Sequence, residues 1–307
     1  MGYIISTVNM KGGVGKTTLT VNLATSLAKN FNKKVLVLDL DAQISATLSL
    51  LPPHEFGKLR KKRKTLSYLI DNIIVPNPYA KLDIHDLITK SVCGLPQLEL
   101  LPGDIDLYDE YLVSEMLHQQ AVNENKIENF ESVWNNFERL LIRNILQPVI
   151  EDYDFIIMDC APGYNLLTRS AIAASHFYLL PARPEPLSLV GIQLLERRVK
   201  KLKENHQDNN PLDLRLLGIV FILSEAGGIF GRYDKYYDQV IRRVKQDFSI
   251  DQLFTTDIPM DVNVAKAIDL FMPAVLTSPN SSGSKAFSKL TEEFLGKINA
   301  FTQNNRG

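Results

Sequence analysis

The chain contains only two cysteines, Cys93 and Cys160, among its 307 residues. Two isolated thiols supply neither a disulfide framework nor the ligand set of a zinc site or a metal cluster. The sequence also lacks a run of about 18 apolar residues that would span a membrane, and residues 1–5 lack the charged start of a secretory signal. These absences predict a cytoplasmic protein, since disulfides are rare in that reducing compartment.

Neither sign of charge dominates the chain, because 34 Lys and Arg residues face 35 Asp and Glu residues and leave a formal net charge of −1. The chain as a whole is therefore not an electrostatic binder of nucleic acid, and such a role requires local clustering of basic residues. Hydrophobic residues make up 45% of the sequence, which supports a substantial core in one large α/β domain or two smaller ones.

Strand patterns alternate with helix patterns along most of the chain, which predicts an α/β fold with a doubly wound, mostly parallel sheet flanked by helices. The predicted strands are residues 3–8, 34–39, 98–102, 153–159, 176–181 and 214–221. The predicted helices are residues 19–28, 130–150, 187–202, 233–244 and 286–298. Residues 52–152 are less regular, and we interpret them as an elaboration of a single domain, 1–307. The tail after residue 301 is predicted to fray.

A glycine-rich segment lies between the first predicted strand and the first predicted helix, and it has the composition of a phosphate-binding loop. Backbone N–H groups at the start of a helix attract phosphate, and glycines let the main chain approach it closely. In such a P-loop, Lys16 reaches the β- and γ-phosphates and the Thr17 hydroxyl binds Mg²⁺. The predicted nucleotide-binding residues are Gly12, Gly13, Val14, Gly15, Lys16, Thr17 and Thr18.

The loop departs from the general P-loop pattern at its first position, where Met10 replaces a glycine and a second lysine, Lys11, follows. Residues 11–17 thereby resemble the deviant Walker A motif of the ParA/MinD group of P-loop ATPases. The resemblance implies ATP and Mg²⁺ as ligands and an ATP-sandwiched homodimer. It also implies that Lys11 contacts the nucleotide of the other subunit.

Three aspartates end or closely follow predicted strands at the edge of the sheet where ligands bind. Asp39 and Asp41 resemble the Walker A′ motif of the group, in which Asp41 orients the attacking water and Asp39 lies near the metal's water shell. Asp159 closes a buried strand as a Walker B carboxylate does, and it is predicted to hold Mg²⁺ together with Thr17. The alternative for this pair is a polar strand end in which one Asp is the N-cap of the next helix, a position that Ser45 could fill equally well. Residues 161–167 would sense the γ-phosphate, although Ala161 replaces a proline that the group usually has.

Two further sets of residues are assigned through the resemblance. Pro259 and Met260 correspond to positions that contact the purine in the group. Basic residues of the C-terminal half correspond to a surface that binds DNA without sequence preference, and the alternative is a solvated helix face. The predicted DNA-binding residues are Arg197, Arg198, Lys200, Lys201, Lys203, Arg232, Lys235, Arg242, Arg243 and Lys245. The basic run 58–64 is either a flexible loop or an additional DNA contact.

The P-loop begins at residue 9, which leaves no room for a preceding helix-turn-helix domain and resembles the short ParA type. The resemblance implies a nucleoid-associated positioning ATPase with a ParB-like or McdB-like activator and a plasmid, a chromosome or a protein compartment as cargo. The alternative is a MinD-type ATPase that cycles on membranes, which requires an amphipathic basic helix beyond the core. An iron–sulfur reductase on the same scaffold would need two suitably placed cysteines in each subunit. A scaffold without ATPase activity conflicts with intact Lys16, Asp41 and Asp159.

Overall fold

The computed structural model of the protein describes residues 2–77, 79, 83–124, 129–207, 211–224 and 233–304. Its strands are β1 (Tyr3–Thr7), β2 (Val35–Leu40), β3 (Leu98–Leu101), β4 (Phe155–Cys160), β5 (Phe177–Ala182), β6 (Arg215–Ser224) and β7 (Ile258–Pro259). Within the described residues they form one seven-stranded sheet in the order β3-β2-β4-β1-β5-β6-β7. Each neighbouring pair of strands is parallel, so the predicted fold class is confirmed.

The helices between and after the strands cover both faces of the sheet. They are α1 (Lys16–Phe31), α2 (Ser45–Leu50), α3 (Pro53–Lys61), α4 (Leu66–Ile74), α5 (Ile84–Leu87), α6 (Glu110–Asn123), α7 (Phe130–Leu146), α8 (Leu166–Ala174), α9 (Pro186–Asn205), α10 (Tyr233–Asp247), α11 (Val262–Asp269), α12 (Ala274–Thr277) and α13 (Ser282–Asn304). Short 3₁₀ turns lie at Val92–Gly94, Ile150–Asp152 and Ile250–Gln252.

Each face of the sheet has its own apolar core. Leu36 and Leu38 of β2 join the core under α4 and α6 to α10. Val35 and Val37 join the core under α1, α11, α12 and α13. All six residues of β2 and of β4 are buried, because strands covered on both faces have no solvated side. This explains why these strands are continuous apolar runs in the sequence.

The segment 52–152 is more helical than the sequence predicts, since α3, α4, α5 and α6 lie in it. The basic run 58–64 is not a flexible loop at its start, because residues 58–61 form the last turns of α3. Arg60 is tied down by ion pairs to Asp104 at 2.8 Å and to Asp106 at 2.6 Å. The flexible loop was one of two alternatives left open for this run, and it does not hold at residues 58–61. The sequence could not decide this, because the partners of Arg60 lie more than 40 positions away. An additional DNA contact by the run stays a prediction.

The last helix, α13, is longer than predicted and continues to Asn304, so the chain does not fray directly after residue 301. Its apolar side chains Phe287, Leu290, Phe294 and Ile298 are buried in the core under α1. Their helical spacing therefore reflects packing onto the sheet. Among the described residues, no helix combines the length and the hydrophobicity that a bilayer crossing needs.

Candidate functional site

The loop between β1 and α1 has the conformation of a phosphate cradle. Gly13 and Gly15 have φ angles of 70° and 88°, a left-handed conformation that other residues adopt at a cost. Asn9 anchors the loop, because its Nδ2 donates to the Pro181 carbonyl at 2.7 Å and its Oδ1 accepts from the Lys11 amide at 2.9 Å. The sequence alone did not single out Asn9, since its partner belongs to β5.

Lys16 begins α1 with its side chain facing this cradle. The residue is only 7% exposed, and its Nζ donates to the Lys11 carbonyl at 3.3 Å. Burial lowers the pKa of Lys16, against the attraction of nearby Asp159. A buried ammonium group at a helix N-terminus fits the β- and γ-phosphates of a nucleotide, whose charge would replace lost hydration.

Asp39 and Asp159 lie side by side, because β2 and β4 pair in a register that places them opposite each other. The Thr17 hydroxyl donates to Asp159 at 2.6 Å, and the Thr20 hydroxyl donates to its other oxygen at 3.3 Å. Burial, together with the charge of the neighbouring Asp39, raises the pKa of Asp159 to about 8. A hydroxyl beside a buried carboxylate is a donor set that suits Mg²⁺, so Thr17 and Asp159 fit the metal role predicted for them.

Asp39 has a different set of partners. Its oxygens accept from the amides of Asp41 at 3.2 Å and Thr47 at 2.7 Å, although burial still raises its pKa to about 6. The bond to Thr47 satisfies an N–H group in the first turn of α2, which otherwise has no side-chain cap. Asp39 thus takes the capping role that the sequence left open between an aspartate of this pair and Ser45. Its predicted place near the metal's water shell stays a prediction.

Asp41 follows β2 and is half-buried. Its Oδ1 accepts from the Gln43 amide at 3.0 Å, which holds the carboxylate beside the phosphate loop. Asp41, Lys16 and Thr17 line one cavity of about 520 Å³. The structure therefore brings Asp41, which is predicted to orient the attacking water, together with Lys16 and Thr17, which are predicted to contact the phosphates and Mg²⁺.

The far wall of that cavity comes from a part of the chain that the sequence analysis did not select. It is built by α11, α12 and the segment between them, with Val264, Ala267, Ile268, Phe271, Met272, Pro273 and Ala274. Pro259 and Met260 do not line the cavity. Pro259 ends β7 and Met260 is 57% exposed. Residues 225–232, which follow β6, lie outside the described residues, and the purine contact of Pro259 and Met260 stays a prediction.

Lys11 is not among the residues that line this cavity. Its Nζ forms an ion pair with Glu185 at 2.8 Å, and Arg183 lies 3.6 Å from the other oxygen of the same carboxylate. The hydrogen bond from Lys11 is the main reason that the pKa of Glu185 is lowered. Glu185 directly precedes α9, and no local pattern in the sequence connects it with a lysine 174 positions earlier.

The segment after β4 lies close to the phosphate loop. A Cβ atom placed on Gly12 would lie 3.9 Å from Cβ of Pro162, and Pro162 lines the cavity. Asn165 caps α8 by accepting from the Thr168 amide at 2.8 Å. Cys160 is fully buried in β4, and burial raises the pKa of its thiol, which agrees with its prediction as a packing residue rather than a nucleophile.

The predicted DNA-binding residues of α9 are mostly exposed, namely Arg197, Arg198, Lys200 and Lys201, while Lys203 is half-buried. Helix α10 lies beside α9, since Gln193 donates to Asp247 at 2.9 Å. Its residues Arg242, Arg243 and Lys245 are also exposed. Arg232 lies outside the described residues, as does the side chain of Lys235, whose backbone belongs to α10.

Comparison with known proteins gives a family match over most of the chain. A family model described as an AAA domain matches residues 2–213. The sporulation initiation inhibitor protein Soj of Bacillus subtilis is 29% identical over 293 residues, which cover 95% of this chain and 98% of Soj. The similarity to Soj therefore extends through the C-terminal part that follows the family match.

Solved structures share the fold. Apo McdA from Cyanothece has a TM-score of 0.69 at 19% identity and covers 96% of this chain and 100% of its own. The septum site-determining protein MinD of Pyrococcus horikoshii, complexed with Mg-ADP, has a TM-score of 0.62 at 24% identity. That match covers 95% of this chain and 96% of MinD. At these identities the likeness concerns the fold.

Proposed function

This chain belongs to the ParA/MinD group of P-loop ATPases, and we propose that it is a positioning ATPase that acts as an ATP-bound homodimer. The observation that supports the proposal is that the two lysines of the phosphate loop have different surroundings. Lys16 faces the cavity with Thr17 and Asp41, whereas Lys11 projects toward Glu185. A lysine that does not face its own nucleotide cavity is suited to act on the nucleotide of a second subunit.

The reaction is an in-line attack of water on the γ-phosphate of ATP. Lys16 and the amides of residues 12–17 hold the β- and γ-phosphate oxygens, and Asp41 orients the water. Thr17 and Asp159 would hold Mg²⁺, which neutralises phosphate charge when it is bound. Positioning and charge stabilisation account for most of the catalysis, and Lys11 of the second subunit adds positive charge.

The ATP-bound dimer binds DNA through the exposed basic residues of α9 and α10. Arg197 and Lys201 support this assignment, because within the part of the chain that the structure describes neither has an ion-pair partner. A basic side chain that is free of carboxylates can displace the counterions of a DNA phosphate. The resulting affinity is independent of sequence, places the protein on the nucleoid, and falls with salt.

A partner protein of the ParB-like or McdB-like kind ends the cycle by stimulating hydrolysis, which separates the dimer and releases the DNA. The cargo is a plasmid, a chromosome or a protein compartment. The membrane-cycling alternative gains no support from α13, because the apolar side of that helix packs into the core and is not available to a bilayer.

A salt titration of binding to a DNA duplex without a specific site tests this proposal in the presence of ATP, ADP or no nucleotide. We expect tight, salt-sensitive binding with ATP alone. Replacing both Arg197 and Lys201 with Gln should reduce the slope of log K against log salt by about 2 for each subunit of the dimer that contacts the duplex, one unit for each lost phosphate contact. Binding that is absent, or is equal in the three nucleotide states, would contradict the proposal.

Lys11→Ala tests dimerisation in the same assay. The variant should bind ATP, since Lys16 is intact, but it should not dimerise with ATP by light scattering or gain ATP-selective DNA binding. Lys90→Ala removes an equal charge from an exposed site away from the loop and serves as the control. A Lys11→Ala protein that dimerises and binds DNA like the control would remove Lys11 from the mechanism.

A further inference from the structure

The segment between β4 and α8 connects the phosphate cradle to α9 within very few residues. Pro162 faces Gly12 of the phosphate loop, where a Cβ atom added to Gly12 would lie 3.9 Å from Pro162 Cβ. Gly163 follows in the left-handed region with a φ angle of 93°, and the next residue, Tyr164, contacts α9. Only Gly163 thus separates the residue that faces the phosphate loop from the residue that contacts α9.

Tyr164 holds two guanidinium groups. The Arg198 Cζ lies 5.9 Å from the centre of its ring, and the Arg169 Cζ lies 5.8 Å from it, within the range of cation–π attraction. The Tyr164 hydroxyl also donates to the Arg198 carbonyl oxygen at 3.1 Å. Tyr164 therefore contacts both the backbone and the side chain of one residue of the proposed DNA-binding face.

The two arginines on the ring differ in whether a carboxylate also holds them. Arg169 forms an ion pair at 2.6 Å with Glu138, which is only 3% exposed and also accepts from Trp134. Arg198 is exposed, and within the described part of the chain it has no carboxylate partner. Of the two groups on the ring, Arg198 is thus the one that can leave it for a DNA phosphate.

We propose that Tyr164 is a positioning residue that couples the nucleotide state to DNA binding by holding Arg198 on its ring. This inference rests on the proposed function, in which α9 binds DNA. When the γ-phosphate displaces the segment after β4, the ring moves and releases Arg198 for a phosphate contact. Because coupling between two sites is reciprocal, DNA that engages Arg198 favours the ATP-bound arrangement in turn.

Fluorescence anisotropy at one salt concentration measures the DNA affinity of each variant with ATP and with ADP. The quantity compared between variants is the ratio of the affinity with ATP to the affinity with ADP. Tyr164→Ala should raise the affinity with ADP, because Arg198 is free in both states. The ratio should fall by at least about fivefold, the lower end of ordinary allosteric coupling. Tyr164→Phe, which loses only the hydroxyl bond, should give an intermediate ratio. Tyr164→Leu replaces the alanine variant if that protein unfolds.

Arg197→Gln is the matched control, since Arg197 is exposed on the same helix and its side chain is not one of those on the Tyr164 ring. It should weaken binding in both states and preserve the ratio. A merely structural role of Tyr164 would likewise lower both affinities without changing the ratio. If wild-type protein selects ATP but the alanine or leucine variant keeps the wild-type ratio, the inference fails alone. If wild-type protein shows no ATP-selective binding, the proposed function fails.

Discussion

Three aspartates at one edge of the sheet differ in their surroundings, and this difference determines what each can do. The Asp39 carboxylate accepts hydrogen bonds from two backbone amides. The Asp159 carboxylate accepts a hydrogen bond from the Thr17 hydroxyl, which is predicted to bind the metal. Asp41 accepts from one amide and lies in the cavity wall. Of the three, Asp41 accepts the fewest hydrogen bonds from the described residues and lines the cavity, so it is the carboxylate best placed to accept from a water molecule beside the γ-phosphate.

At this scale we predict that Asp41→Ala binds ATP and dimerises but loses hydrolysis. Loss of a group that acts on the attacking water lowers turnover by about 100-fold or more. Nucleotide affinity should change little, because Lys16 and the loop amides remain. Single-turnover hydrolysis and equilibrium ATP binding check the two halves of the prediction. Asp86→Ala, an exposed aspartate on α5, is the control, and Asp41→Ala hydrolysis at the control rate would refute the role.

At the scale of elements, the phosphate loop is held in place by two strands from the other half of the chain. Asn9 ties the loop to β5. Gly15 lies against β6, where an added Cβ would approach Ile222 Cγ2 to 2.9 Å. The conformation of the loop therefore depends on strands that follow it by more than 160 residues, not on its glycines alone.

Gly15→Ala should destabilise the protein and abolish nucleotide binding. A side chain in the left-handed region costs roughly 1–2 kcal/mol, and the contact with Ile222 adds to this cost. Gly296→Ala is the matched control, since it lies exposed in α13 with nothing near the added methyl group. It should raise the free energy of unfolding by roughly 0.5–1 kcal/mol. Urea unfolding checks both values, and equal effects of the two substitutions would contradict the packing argument.

At the scale of the whole molecule, the strand order brings Asp39 of β2 and Asp159 of β4 together in the interior. Two buried carboxylates destabilise the nucleotide-free fold when both are ionised. Since Mg²⁺ with nucleotide would favour the charged form of Asp159, the site is most stable when it is filled. The same burial that makes the site selective for ligand thus lowers the stability of the protein without it.

This arrangement predicts a pH dependence of stability. The pKa of Asp159 rises on folding to about 8, so the folded state binds a proton more tightly than the unfolded chain. The resulting stability is complete below about pH 4 and is lost as the pH rises through about 8. Asp159→Asn has no such charge. In the absence of nucleotide it should therefore be more stable than wild type at about pH 8.5, and the difference should shrink toward about pH 5.

Chemical denaturation across this pH range measures the effect, with Asp251→Asn, an exposed substitution on the protein surface, as the control. The asparagine variant should also lose Mg²⁺-dependent nucleotide binding, which separates stability from function. If the difference in the free energy of unfolding between wild type and Asp159→Asn is independent of pH, Asp159 does not carry the buried charge.

The sequence by itself determined the parallel sheet, the phosphate loop and the carboxylates at the strand ends. Those features depend on local periodicity and on the fact that the carboxyl ends of parallel strands share one edge. The sequence did not predict the small helices of 52–152, because each buries few residues. Their contacts also involve residues far away in sequence, as the ion pair between Arg60 and Asp104 does. The wall of the cavity from α11 and α12 was not predicted for the same reason.

Only the tertiary structure decided how these residues are joined. It paired Lys11 with Glu185, placed Asp39 as the cap of α2, and set Tyr164 against Arg198. Side chains many positions apart meet only when the strands are ordered in the sheet and the helices pack on both of its faces. The residues that could bind a nucleotide could therefore be predicted from the sequence, while the contacts that would control that binding depend on the fold.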